Sequence, residues 1–331
     1  MIEDITIIVT TWNSINVLKL FWYYFLKYTK QPFKVIVVDN GSSDGTLTFL
    51  KKCNVTIIRN YENKGVVKAL NQAEKLVETK YFVSISDDII VTPNWLENLL
   101  IAYHSDGKIR SISPIKSGTA VRYPYDSKSC REVWDAAKKI NPDKSPSELI
   151  DIYLNGKTIE EFDNDIRAVN NFGLEIVESP PDFVSGCCVL VETEFIKNIG
   201  GFSDTRFNLY GCEDVDRCWR IGTAGFKVAR TSSVFVHHFE GMALNNNNLD
   251  WKKLLWDNNR LLIAKWSDKF WDIIRKEIAS GQDILEIVRR HWIIEWLLQS
   301  VDDKVVPDDL QLAIKQCKEK TASHFPQRFK N

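Results

Sequence analysis

The acidic residues of this chain stand where apolar runs stop. VIVVDNGSSDGT at 35–46 and YFVSISDD at 81–88 are both β-branched runs that end abruptly in aspartate. A strand buried on both faces has this composition. Ligands of open α/β sheets bind beyond the carboxyl ends of such strands. Asp39, Asp87 and Asp88 are therefore expected in one crevice, an arrangement suited to an anionic ligand held through a metal ion.

Each signal has a plainer reading beside it. Asp39 opens an Asp-Asn-Gly sequence and serves either as an Asx turn or as an acceptor for a ligand N–H, such as that of a pyrimidine ring. Ser86-Asp87-Asp88 is either an acidic turn or the seat of a hard cation, Mg2+ or Mn2+, shared with substrate phosphates. Thr92-Pro93 behind it reads as a capping hydroxyl followed by a helix-opening proline. Glu213-Asp214-Val215-Asp216 opens a helix, where the macrodipole favours acids. Three carboxylates in four positions exceed what capping requires, and Asp214 or Glu213 suits a general base. His237 and His238 end a strand-like run, so alternation lets at most one of them point at the site as a metal ligand. His104, His291 and His324 have no acidic or cysteine partner at ligand spacing.

The elements that must position these residues follow from periodicity. ITIIVT (5–10), VIVV (35–38), VTIIR (55–59) and YFVSI (81–85) alternate with helical stretches over 17–28, 46–52, 66–78 and 93–104. That alternation predicts a parallel sheet with helices on its faces. Residues 107–182 are polar and proline-punctuated, and read as an insertion standing beside the sheet rather than within it. The sheet resumes at DFVSGCCVLVE (182–192), followed by a helix near 211–222 and a strand over 227–239. Beyond Gly241 the chain is helical by period, with recurring tryptophans, and it ends in a loose tail.

Bulk properties narrow the function. With 43 basic and 44 acidic residues the net charge is −1, so no overall field recruits nucleic acid or an anionic membrane. The seven cysteines contain no CxxC pair, which argues for reduced thiols rather than a disulfide framework or a zinc site. ITIIVT follows Met1 almost directly, leaving no room for a signal peptide. WIIEWLL (292–298) is interrupted by Glu295 and too short to span a bilayer. A cytoplasmic protein is expected, with peripheral membrane association left open.

Taken in order, these segments resemble glycosyltransferase family 2, the inverting, nucleotide-sugar-dependent enzymes with a GT-A type fold. The resemblance covers roughly residues 4–265. IVTTWN is similar to the family's Thr-aromatic-Asn, and NKGVVKALN to its Asn-x-Gly…Ala-x-Asn loop. SDD occupies the place of the Asp-x-Asp motif. FVSGCCVLVETEFIKNIGGFSDTRF resembles the strand that leads to Gly-Gly-Phe-Asp-Glu-x-Phe, and GCEDVDRCWR the Glu-Asp-x-Asp helix. HHFEG with the later NNRLLIAKW resembles a bacterial subset with a His-His-Phe motif.

The resemblance implies an α/β fold: a GT-A type, Rossmann-like, mostly parallel sheet flanked by helices, with a helical insertion and a helical C-terminal extension. Residues 1–245 would be the transferase domain, 107–182 its acceptor-side insertion, and 246–331 the extension. By position, Thr11, Trp12 and Asp39 would frame the nucleotide base, and Asn63 and Gly65 would lie along the nucleotide. Asp87 would face the ribose or diphosphate, and Gly186 would lie on the donor side. Asp88 would bind divalent Mn2+ or Mg2+, with His238 or His237 completing the protein ligands. Asp214 would deprotonate the acceptor, with Glu213 beside it holding sugar hydroxyls. The sequence departs from the family pattern at Ser86, the first slot of Asp-x-Asp, and at Glu240 before Gly241.

The implied function is metal-dependent, inverting transfer from a nucleotide sugar, by default a UDP-sugar, to a glycan, lipid-linked or protein hydroxyl. Two alternatives stand beside it. One is a catalytically silent nucleotide-sugar-binding module. The other is a transferase for a nucleic-acid acceptor, with Lys108, Arg110, Lys116, Arg122, Lys128 and Arg131 lining a path for the polyanion.

Overall fold

The computed structural model describes residues 5–240 and 251–321, with the side chains of Trp251 and Lys252 left aside. The first hundred residues fold as their periodicity requires. Strands β1 (Ile5–Thr11), β2 (Phe33–Asp39), β3 (Thr56–Arg59) and β4 (Tyr81–Ser86) run parallel to one another. Between them lie α1 (Ile15–Tyr28), α2 (Thr46–Leu50) and α3 (Gly65–Glu74). Alternate residues of each strand enter different cores. Ile5, Ile7 and Val9 pack with α1 on one face, while Ile8 joins Ile36, Val38 and Phe82 on the other. Burial on both faces is why these strands are almost continuously apolar.

The short β5 (Ile89–Val91) leads into α4 (Trp95–His104). Asn94, in the left-handed region, precedes this helix, and Thr92 does not cap it. The Thr92 hydroxyl instead donates to the Phe235 carbonyl, 2.7 Å away. β6 (Ile109–Lys116) follows. Then come α5 (Cys130–Ile140), α6 (Pro146–Tyr153) and α7 (Ile159–Val169), each opened by a reciprocal Ser/Thr–Glu capping box. β7 (Leu174–Val177), β8 (Cys188–Glu192), α8 (Thr193–Asn198), α9 (Glu213–Thr223) and β9 (Lys227–His238) complete the sheet region.

The nine strands form one sheet in the order β3-β2-β1-β4-β8-β6-β9-β5, with β7 also on β9. This corrects the expectation that 107–182 stands wholly beside the sheet. Its first strand, β6, lies inside the sheet between β8 and β9, and β7 pairs antiparallel with β9. Only the helical middle stands apart. β6 was hidden because its IRSISPIK sequence mixes Arg, Ser and Lys with isoleucine and carries Pro114, and the proline sits beside a register shift in the β6–β9 pairing, where a missing N–H is tolerated.

The C-terminal residues form α10 (Trp251–Ala279), α11 (Ile284–Arg290), α12 (Trp292–Ser300) and α13 (Gln311–Thr321). They share a core with α9: Val215 and Trp219 pack with Leu262, Phe270 and Trp271. Among the described residues, no helix is long and apolar enough to cross a membrane. All seven cysteines are free thiols. The Gly241 end of the histidine segment and the loose C-terminal tail lie outside the described residues.

Candidate active site

Register delivers the acidic residues to one edge of the sheet. Thr11 pairs with Asp39 at the ends of β1 and β2, while Thr10 pairs with Ser86, so Asp87 and Asp88 leave β4 at the same level. β5 then pairs antiparallel with β9, with Ile89 opposite His238. That pairing brings His238 Nε2 to 3.1 Å from Asp88 Oδ1.

Asp87 and Asp88 are both buried, at 6% exposure. The Ser14 hydroxyl donates to Asp87 Oδ2, and the Thr11 hydroxyl lies 2.9 Å from that of Ser14. Burial and the neighbouring Asp88 charge push the Asp87 carboxyl up to about 7. Burial would also raise Asp88, but His238 outweighs it and leaves Asp88 below its ordinary value. Burial opposes the His238 proton, yet Asp88 and Cys187 lift its pKa to about 10.

Whether such a site suits a divalent cation depends on its donors. Two adjacent carboxylates with an imidazole across from one of them fit a hard cation. His238 Nδ1 makes no hydrogen bond and lies 4.0 Å from Glu240 Oε1. Among the described residues, no three His, Cys, Asp or Glu side chains converge on one point. Protein ligation here is thus limited to Asp88 and His238, which leaves most of a coordination sphere to ligand oxygens, as is common where a cation is shared with phosphates.

His237 is not part of this cluster, which corrects its place among the metal candidates. Its ring lies 4.4 Å from that of Trp134 and 4.8 Å from that of Tyr153, inside the aromatic core under α5 and α6. Both of its ring nitrogens lack partners, and burial holds its pKa well below the ordinary value. Strand alternation made the two histidines equivalent candidates, and the tertiary register brings His238, not His237, beside Asp88.

On the far side of the crevice, Glu213 and Asp214 open α9. Asp214 Oδ2 accepts the Gly186 N–H at 3.1 Å, and Oδ1 accepts the Val215 N–H at 2.9 Å. Gly186 thereby seats Asp214: a Cβ there would stand 3.3 Å from the Asp214 Cβ. Glu213 is pushed up to about 7, by burial first and then by the Asp214 charge, and its Oε2 has no partner. Asp216 turns away and is bound by Arg220, Lys265 and the Trp266 indole.

Asp39 is fully buried, with Oδ1 accepting the Ser42 N–H at 2.9 Å and Oδ2 held by Arg59. A base N–H would therefore share Oδ2 with Arg59. Asn63 Oδ1 accepts the Gly65 N–H at 2.8 Å, which fixes the start of α3. Gly65 itself, at φ +82°, faces Leu209, whose Cα would stand 2.4 Å from an added Cβ. Val66 N–H donates to the Leu209 carbonyl at 2.8 Å. Gly65 thus docks the loop that carries Tyr210. Trp12 follows β1 at the mouth of the crevice and is half-buried.

Sequence reading missed several residues. Tyr210 lies between the two acidic pairs; desolvation raises its phenol pKa, with added contributions from Glu213, Asp214, Asp88 and Glu240. Lys116 and Arg131 both engage Glu240, at 3.3 Å and 3.6 Å. Two other basic residues of this region have local partners: Arg110 pairs with Glu192 and Lys128 with Asp126. His291, assigned no partner from spacing, pairs with Asp182 at 2.7 Å across 109 residues. Arg217 is fully buried one turn along α9 from Glu213. Lys128 has its ion partner, and Arg217 its neighbouring acids, near in sequence, whereas Lys116, Arg131, Arg110 and His291 meet their partners only through distant segments.

Comparison with known proteins places this geometry. Residues 6–153 match the model of glycosyl transferase family 2, and residues 177–241 that of the N-terminal domain of galactosyltransferase. The chain is 26% identical over 240 residues to a chondroitin synthase from Pasteurella multocida (strain Pm70), covering 67% of this chain and 23% of that protein. It is 27% identical to an N-acetylglucosaminyl-diphospho-decaprenol L-rhamnosyltransferase from Mycobacterium tuberculosis (strain CDC 1551 / Oshkosh), covering 63% and 68% respectively. The chain spans less than half the length of the first relatives, at 23% of the chondroitin synthase and 43% of a pre-mycofactocin glycosyltransferase. Among solved structures, a mannosyltransferase from Pyrobaculum calidifontis in complex with GDP-Man and Mn2+ superposes with a TM-score of 0.53 at 14% identity, covering 98% of this chain and 76% of that one. S. aureus TarS 1-349 in complex with UDP-GlcNAc superposes with a TM-score of 0.50 at 13% identity, covering 99% and 90%.

Proposed function

We propose, from the premise that this chain carries a glycosyl transferase family 2 domain on a GT-A type fold, that it moves a sugar from a nucleotide sugar to an acceptor hydroxyl with inversion. The carrying observation is the facing of two acid pairs across Tyr210: buried Asp87–Asp88 with His238 on one side, partly buried Glu213–Asp214 on the other. One side suits a diphosphate, the other an incoming nucleophile.

Asp88 and His238 would hold a divalent cation, Mn2+ or Mg2+, whose chemistry is neutralisation of the charge developing on the departing diphosphate. Thr11 and Ser14 hold Asp87 in place at the ribose or diphosphate. Asp214, its orientation set by the Gly186 and Val215 N–H groups, takes the proton of the acceptor hydroxyl. The hydroxyl oxygen bonds to the anomeric carbon as the bond from that carbon to the diphosphate oxygen breaks on the opposite face. Glu213, next to Asp214, holds sugar hydroxyls. A UDP-sugar is the expected donor, because Asp39 Oδ2 can be shared between Arg59 and a uracil N–H. The acceptor is a glycan, lipid-linked or protein hydroxyl, approached past the 107–182 insertion.

Thermal shift against a panel of nucleotide sugars, with and without Mn2+, tests the donor, since a ligand that binds only the native state raises the apparent Tm. A Mn2+-dependent shift with a UDP-sugar is expected; a preference for GDP- or dTDP-sugars removes the uridine assignment. Asp214→Asn should abolish transfer while keeping metal-dependent nucleotide binding. Equal loss of both would make Asp214 structural.

A further inference from the structure

We infer that Arg217 is the counter-charge of the Glu213–Asp214 pair, a positioning residue whose unbonded guanidinium offsets the repulsion between the two carboxylates. The inference rests on the reading of Asp214 as that base, and it extends the site to a residue buried beneath it.

Arg217 is 0% exposed, yet its Nε, Nη1 and Nη2 all lack a hydrogen-bond partner. A buried guanidinium normally takes a carboxylate in a bidentate pair or spreads its donors over carbonyls. Arg220, three residues further along α9, does so. It pairs with Asp216 at 2.9 Å and donates to the carbonyls of Ile199, Gly201 and Phe202. One helix thus carries one fully bonded arginine, which ties α9 to the fold, and one with no hydrogen bond at all.

The unbonded arginine is aligned with the acids. Arg217 lies four residues after Glu213 and three after Asp214, the spacings that share a helix face. Its Nη2 is 3.6 Å, and the Asp214 Cβ 3.3 Å, from the point where a Cβ at Gly186 would stand. The absent side chain of Gly186 therefore lets cation and carboxylate close on one spot of backbone. The guanidinium is seated over the Phe202 ring, 4.3 Å from its centroid, which fixes the charge without using an N–H donor.

Glu213 is faced by Asp214 and Arg217 of its own helix and by Tyr210 and Cys212 of the preceding loop, with Asp88 and Glu240 beyond Tyr210. Asp88 has His238, and Glu240 has Lys116 and Arg131, as counter-charges, which leaves Arg217 as the cation acting on Glu213 and Asp214. Burial and Asp214 push the Glu213 carboxyl up to about 7, and Arg217 opposes that rise. Two neighbouring acids repel, and a counter-charge beside them lowers the proton affinity of the pair. A cation bonded directly to the base would occupy the lone pair that must accept the acceptor's proton. A cation acting only through its field leaves that lone pair open.

The test is a 13C-carboxyl NMR titration of the full chain, with the Glu213 signal identified by its loss in Glu213→Gln. Arg217→Met, close in shape and neutral, should raise the Glu213 midpoint by about 1 pH unit or more, a tenfold change in proton affinity. Arg217→Lys should keep the midpoint near that of the native chain and covers the case in which the Met variant does not fold. The acidic limb of the pH profile for UDP-GlcNAc hydrolysis should move with the midpoint in Arg217→Met. A midpoint that stays put in a folded Arg217→Met chain, or that rises equally in Arg217→Lys, overturns the inference. The titration needs no donor, so a native chain that turns over no nucleotide sugar overturns the transferase reading alone.

Discussion

The two acidic pairs of this crevice meet the same electrostatic problem with different counter-charges. Asp87–Asp88 sits at strand ends opposite His238, which is within hydrogen-bond distance and can itself lose a proton. Glu213–Asp214 sits at a helix start above Arg217, a permanent cation that forms no hydrogen bond. In each pair burial and a neighbouring carboxylate push one member to about 7. On the proposed reading, the partner of the first pair would give up its proton to share a metal ion with Asp88. The second is arranged so that its partner cannot leave. On that reading, a donor site must accept and release a charged ligand, whereas a base must start each cycle deprotonated, take a proton and lose it again.

The strongest way to break this contrast is to neutralise one acid of each pair. Asp88→Asn should lower kcat/KM by about 10^2–10^3-fold together with Mn2+-dependent nucleotide binding, as loss of a metal ligand does. Asp214→Asn should lower turnover by about 10^2–10^4-fold, the scale of a lost general base, with binding retained. Calorimetric titration of UDP with Mn2+ separates them, and identical binding losses would erase the division of labour.

Gly65→Ala attacks the acceptor side through its support. At φ +82°, with the Leu209 backbone 2.4–2.9 Å from the added Cβ, both strain and overlap oppose it. A loss of about 2–4 kcal/mol in denaturant unfolding is expected. The Glu213–Tyr210 side should be disturbed while the Asp88–His238 pair stays in place.

Acidity sharpens the contrast on the donor side. Asp87 rises from an ordinary 3.8 to about 7, so the stability it contributes is present below pH 4 and lost as pH climbs toward 7. His238 rises from 6.5 to about 10, so its contribution is lost over that window. A metal-free chain should therefore weaken between pH 6 and pH 8. Ligation by His238 requires loss of its proton, so the Mn2+-induced rise in Tm should be larger at pH 8 than at pH 6, by about 2 °C or more. An equal or smaller rise at pH 8 would argue against His238 as a ligand.

The smallest effect is expected at His237. With both ring nitrogens unpartnered, His237→Phe should change stability by about 1 kcal/mol or less and leave Mn2+ affinity unchanged. A loss of metal affinity there would return His237 to the site.

Much of the donor side was legible from local pattern. Apolar runs located β1, β2 and β4, the latter two leading into aspartate, and the capping boxes of α5, α6 and α7 stand in the sequence as Ser/Thr followed three residues later by Glu. The path of residues 107–182 was not legible, because β6 acquires its sheet neighbours from β8 and β9, some seventy and more residues away. Asp39 read as an open acceptor because its partner, Arg59, is twenty residues distant and meets it only through the β2–β3 register.

The sequence by itself determined which residues end strands and open helices, since burial on two faces and helix capping are local demands on composition. Only the tertiary structure decided which of those residues meet. It brought His238, not His237, beside Asp88 through the β5–β9 register, set Gly186 against Asp214, and enclosed Arg217 beneath the acids it faces. Charges act through space, and the low-dielectric surroundings that give these groups their protonation behaviour exist only once segments far apart in the chain have excluded water together.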